Sequence, residues 1–208
     1  MSTFVRALIN SAALCTLVII LGGGLQGCSK HRVNNNKFYF QAELDGELIT
    51  LKDKRQGYEA GVGVSESYQQ GNVASRQESN LICLATSNDQ PYVFWSLGAH
   101  FPHEDVHADD VIDMYSPGSY AYTDGLGETH APTAAIAWID NNGNEWATYY
   151  GSGDQTGSSF RVLDTEMSEE DDYVAMIQIE FSCKLYDRNG NVIEVAGGKA
   201  RGPVGIPE

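Results

Sequence analysis

The run His103-Glu104-Asp105-Val106-His107 has the H-E-x-x-H spacing of zinc proteases. On a helix, two imidazoles four residues apart share a face and can hold one Zn²⁺ while the glutamate polarises a water. The surroundings fit a solvated acidic loop better. Asp105 puts a charge between the two ligands, Pro102 precedes the run and Asp109-Asp110 follow it. Asp110 also occupies the place where the longer zinc-protease pattern needs glycine, and nothing in the spacing of Glu128 or His130 marks a third ligand. A zinc-dependent hydrolase built on His103, Glu104 and His107 is therefore the alternative reading. No metal and no other cofactor is assigned.

Other chemistry is scarcer still. Asp140-Asn-Asn-Gly-Asn144 and Asp187-Arg-Asn-Gly-Asn191 resemble part of an EF-hand loop. Their glycine is fourth instead of sixth, however, and Gly151 and Gly198 stand where the bidentate glutamate belongs. Turn chemistry accounts for both. The chain has no G-x-S-x-G elbow, and Gly61-Val-Gly63 opens no phosphate-cradling helix. Aromatic side chains are the remaining lead. With eleven Tyr and three Trp, an exposed stacking platform for a flat sugar ring is a candidate. Its residues would be Trp138, Trp146 and Tyr150, or Tyr149 on the reverse face.

The elements that must position these groups follow a period of two. Tyr173, Ala175, Ile177, Ile179, Phe181, Cys183 and Leu185 share one parity of a long run, against Gln178, Glu180, Ser182 and Lys184 on the other. That is a half-buried strand with its odd residues inward. Residues 38–44 and 47–51 flank Asp45-Gly46, the signature of a two-residue hairpin. Further strands are expected at 58–65, 81–86, 92–99, 134–139, 145–150, 159–164 and 191–195, with a short helix at most over 103–115 and an exposed acidic connection over 166–172. At Asp187–Asn191 a two-residue turn would set Leu185 against Glu194. A three-residue loop with Gly190 left-handed sets Leu185 against Ile193 and Cys183 against Val195, which keeps all four inside. The same loop at Asp140 sets Trp138 against Trp146, a large cross-strand contact, with Ile136, Thr148 and Tyr150 on that face. Short strands joined by Gly- and Asn-rich turns, with no Pro/Ser linker between them, predict an all-β fold. The expected architecture is a single antiparallel β-sandwich, or a barrel-like closure of one, over residues 38–208.

Against 13 Lys and Arg the chain carries 28 Asp and Glu, a net charge of -15, which repels phosphate backbones and argues against nucleic acid as a partner. The N-terminus has the order of an export signal: Arg6, an apolar stretch from Ala12 to Leu21, then Gly22-Gly23-Gly24. Leu25-Gln26-Gly27-Cys28 follows and resembles the lipobox of bacterial lipoproteins. The resemblance implies that residues 1–27 are removed and that Cys28 becomes a lipid-carrying N-terminus. Two or three acyl chains anchor a protein stably where one does not. Residues 28–37 then form a polar tether. The lipobox, the early hairpin and the ending Cys183-Lys-Leu-Tyr-Asp187 with Gly197-Gly198 resemble small β-sandwich lipoproteins of Bacteroidota whose function is unassigned. Some related surface lipoproteins bind glycans. The resemblance implies an outer-membrane protein facing the periplasm or the exterior, acting as a non-catalytic binding module for a glycan or an envelope protein. Cys83 and Cys183 would remain after processing. Either they bridge, closing a loop of about 100 residues for about 4–5 kcal/mol, or they are two buried thiols.

Overall fold

The structure, a computed structural model, describes residues 38–52, 55, 59–68, 76–85, 91–101, 108–123, 131–168 and 175–205; for 59–68 and 76–85 it describes the backbone and its register alone. Eleven strands form one hydrogen-bonded sheet. They are β1 (Tyr39–Leu44), β2 (Glu47–Lys52), β3 (Glu59–Tyr68), β4 (Arg76–Ala85), β5 (Tyr92–Phe101), β6 (Gly118–Tyr122), β7 (Thr133–Ile139), β8 (Glu145–Ala147), β9 (Ser159–Met167), β10 (Ala175–Tyr186) and β11 (Val192–Val204), and among the described residues a helix, α1 (Ala108–Met114), lies between β5 and β6. The order across the sheet is β2-β1-β11-β10-β9-β6-β7-β5-β4-β3, and β8 pairs with both β7 and β10. The fold is all-β, as the period of two predicts.

The sheet folds over so that its two halves face each other. Phe40 on β1 meets Trp95 on β5 across the interior, ring centroids 6.1 Å apart, and Phe181 packs against Phe40 at 5.6 Å. Around them lie Ile136, Phe160, Val162, Ile177 and Ile179, all essentially inaccessible. Helix α1 lies beside β5 and contributes Met114 to the same core, joined by Tyr115 just after it. The indole N–H of Trp95 has no partner among the described residues, a cost of about 1–3 kcal/mol. Burial of its ring outweighs that, at about 25 cal/mol per Å² over some 150–250 Å².

The odd residues of β10 point inward from Ala175 to Leu185. Asp45-Gly46 makes a two-residue turn with both residues at positive φ, 47° and 82°. At the β10–β11 hairpin the register sets Leu185 against Ile193 and Cys183 against Val195, with Gly190 at φ +88°. The β7–β8 turn likewise sets Trp138 against Trp146. In each of these two loops the leading aspartate caps its own turn: Asp140 accepts the N–H groups of Asn142 and Asn144, and Asp187 those of Asn189 and Asn191.

Several expectations are corrected. One pairing, β6 with β7, is parallel, the others antiparallel. Strand β6 has too few apolar residues to show in a periodicity, and two tyrosines, Tyr120 and Tyr122, anchor it to the core instead. Strand β11 runs nine residues past the expected Val195, because a bulge at Ala196-Gly197 resets its pattern while both neighbouring strands continue. Glu166 and Met167 belong to β9, not to a connection. Strand β8 stops at Ala147, where the N–H of Tyr150 turns back to the Ala147 carbonyl. Tyr150 therefore leaves the Trp138–Trp146 face. Ala137 and Ala147 on the reverse face are buried too, since the segment after β8 folds back over the outer side of β10 near Tyr186.

Candidate functional site

Of the residues proposed from sequence, Cys28, His103, Glu104 and His107 lie outside the described residues, and α1 begins one residue after His107. The thiol of Cys183 is free and buried, one of the two states expected for it. Burial pushes it up to about 12, against a hydrogen bond from the Tyr122 side that lowers it. Cys83 stands on β4, where side chains lie outside the description.

The expected aromatic platform is not a free plate. Trp138 is buried in the core. Trp146 packs against the core, and its indole N–H donates to Asp140 at 3.4 Å. Tyr149 and Tyr150 meet edge to face at 4.9 Å. The Arg188 guanidinium covers a face of Tyr150 at 4.9 Å, donates to its hydroxyl at 2.8 Å and pairs with Glu145 at 3.2 Å. Burial, and then Glu145, push Tyr150 up to about 12. The four residues thus tie one turn to the next.

Side chains also complete the sheet where strands run out. Between the edge of β9 at Ser159 and the single β8 pair at Tyr186, β10 has no strand neighbour on that side among the described residues. The Gln155 amide fills the gap. Its oxygen accepts the Lys184 N–H at 3.0 Å and the Ser158 hydroxyl at 2.8 Å, and its nitrogen donates to the carbonyls of Lys184 at 2.7 Å and Thr148 at 3.3 Å. Two strands away Asp45 does the same for Glu194, donating its own N–H to the Glu194 carbonyl and accepting the Glu194 N–H, both at 2.9 Å.

Beside this clamp lies a groove of about 460 Å³ on the outer face of β6, β9, β10 and β11. Its origin is a row of small side chains crossing the strands. Ser159 faces Ser182, hydroxyls 3.0 Å apart, and Ser182 faces the Ala196-Gly197 bulge. Gly197 sits at φ +59°, where a side chain is strained. At Gly198 a Cβ would fall 2.3 Å from the Phe181 ring, so the ring rises against bare backbone beneath the groove. The next row toward the start of β1 is long and charged: Arg161 opposite Glu180, opposite Lys199. Arg161 reaches Glu180 at 3.3 Å. Tyr120 walls one end, its ring edge-on to Phe160 and its hydroxyl on the Ser116 carbonyl.

The floor is rigid. The Tyr122 hydroxyl, from a ring packed against the core, lies 3.1 Å from the Ser159 carbonyl and 3.2 Å from that of Ser182, and its single proton is shared between these two floor residues. Ser158 at the far lip is held by the Gln155 clamp. Serine hydroxyls, one carboxylate and two cations over a flat floor can hydrogen-bond a polyhydroxylated ligand. No nucleophile–base pair stands among them.

Sequence reasoning did not find this groove. The alternation of β10 does turn Glu180 and Ser182 outward, but joining them to Arg161, Ser159 and Lys199 needs the register of three strands and the bulge. No family model, curated protein or solved structure matches the chain.

Proposed function

We propose that the chain is a lipid-anchored protein of the cell outer membrane whose β-sandwich binds a glycan without catalysing a reaction. The Leu25-Gln26-Gly27-Cys28 run supports the anchor. The observation that carries the binding is the groove, whose volume of about 460 Å³ lies in the usual range for a ligand site of about 300–1,000 Å³. Sugars present hydroxyls that both donate and accept. The Ser159–Ser182 pair, either of which can be the donor, suits such partners.

The full chain, recovered from membranes in detergent, is tested by mass spectrometry at Cys28 and by binding to immobilised oligosaccharides. The reading expects a diacylated Cys28 and glycan binding that Ser182→Tyr, which fills the groove floor, abolishes without lowering the melting temperature. An unmodified Cys28 in an aqueous protein removes the anchor. Capture of an envelope protein with no glycan bound replaces the ligand. The hydrolase reading rests on the His103-Glu104-x-x-His107 match alone.

A further inference from the structure

We infer that the groove selects an acidic sugar, one bearing a carboxylate or sulfate, and that Lys199 meets that group. The inference rests on the glycan reading and specifies its ligand. Across the rim, Arg161, Glu180 and Lys199 stand in one cross-strand row, two cations to one carboxylate. Arg161 takes one oxygen of Glu180. Lys199 makes no ion pair among the described residues. The other bases flanking the groove are matched: Lys184 pairs with Asp154 at 3.0 Å, and Arg201 pairs with Glu166.

A surplus positive charge is out of keeping with this surface. The chain carries -15 overall, so an anion approaching most of it meets repulsion. At the groove the Lys199 ammonium, without an ion pair among the described residues, stands beside paired hydroxyls. The arrangement divides the work. Lys199 meets the acid group of the ligand, Glu180, steadied by Arg161, accepts from a sugar hydroxyl, and the Ser159–Ser182 pair serves the ring hydroxyls. The small residues of the floor and the Gly197 bulge let the ring approach the backbone. Bulges commonly re-aim side chains beside binding sites.

The test measures binding of the detergent-solubilised full chain to two probes of the same shape, a trimer of galacturonic acid and a trimer of galactose, by calorimetry. The acidic trimer is expected to bind about tenfold tighter at low salt. Lys199→Met, which keeps the length of an exposed side chain and drops its charge, is expected to erase that preference. Lys199→Arg restores the preference. Added salt lowers affinity for the acidic trimer alone, because it screens exposed charges. Equal binding of the two trimers overturns the charge selection and leaves the glycan reading standing. A preference that survives Lys199→Met overturns the role of Lys199. Binding of neither trimer, by the parent or by any variant, overturns the inference and the glycan reading together.

Discussion

Replacing Gln155 by Ala removes four hydrogen bonds at once, two of them to the backbone of Lys184, where β10 has no other partner on that side. A net hydrogen bond contributes about 0.5–1.5 kcal/mol, and one that leaves a buried backbone group unpaired costs more. Gln155 is half-buried, so water can reach part of the gap. The expected loss is about 2–4 kcal/mol, a large part of the roughly 5–15 kcal/mol that holds a typical domain together. With a urea slope of about 2 kcal/mol per molar, the midpoint falls by about 1–2 M at unchanged slope, and the melting temperature falls by about 5–15 °C. Hydrogen exchange localises the effect: the Lys184 amide loses protection while the amides of β1 keep theirs. Gln155→Glu sharpens the test. Its carboxylate would face two carbonyls, which raises its folded pKa, so its deficit is greatest at neutral pH and shrinks as acid supplies a donor proton. A Gln155→Ala loss below about 0.5 kcal/mol, or no local change at Lys184, refutes the idea that a side-chain amide substitutes here for a strand.

Two further perturbations test the neighbouring geometry. Gly198→Ala places a methyl group 2.3 Å from the Phe181 ring, which is wedged against Phe40; a loss of about 2–3 kcal/mol in denaturant melts is expected, and an unchanged midpoint contradicts the close approach. Asp154 is held down to about 2 from 3.8 by the hydroxyl and N–H of Thr156 and by Lys184, and Asp187 is lowered by the Asn191 side chain. Both groups are lowered on folding, so their contribution is present above the unfolded range and is lost as pH falls through the folded values, which for Asp154 is about 2. Denaturation midpoints measured from pH 5 to pH 2 are expected to decline less steeply in Asp154→Asn than in the parent, and parallel declines contradict the assignment.

What the residues determined by themselves was local. The parity of β10, the Asp45-Gly46 turn and the three-residue loops at Asp140 and Asp187 follow from two rules, that apolar side chains face one way and that glycine takes the left-handed positions. Both rules act within a dozen residues and need no knowledge of the rest of the chain. They fix the Leu185–Ile193 and Trp138–Trp146 registers. They do not reach Tyr150, because β8 ends where its partner β10 is crossed by the returning loop, an event set by distant residues. Nor do they reach Gln155, Asp45 as a clamp on Glu194, or the parallel β6–β7 pair. The groove belongs to the same class. A serine on β9, another on β10 and a glycine on β11 carry no common signal along the chain. They become one surface only when long-range pairing puts three strands in register, and that pairing is decided by how the whole core closes.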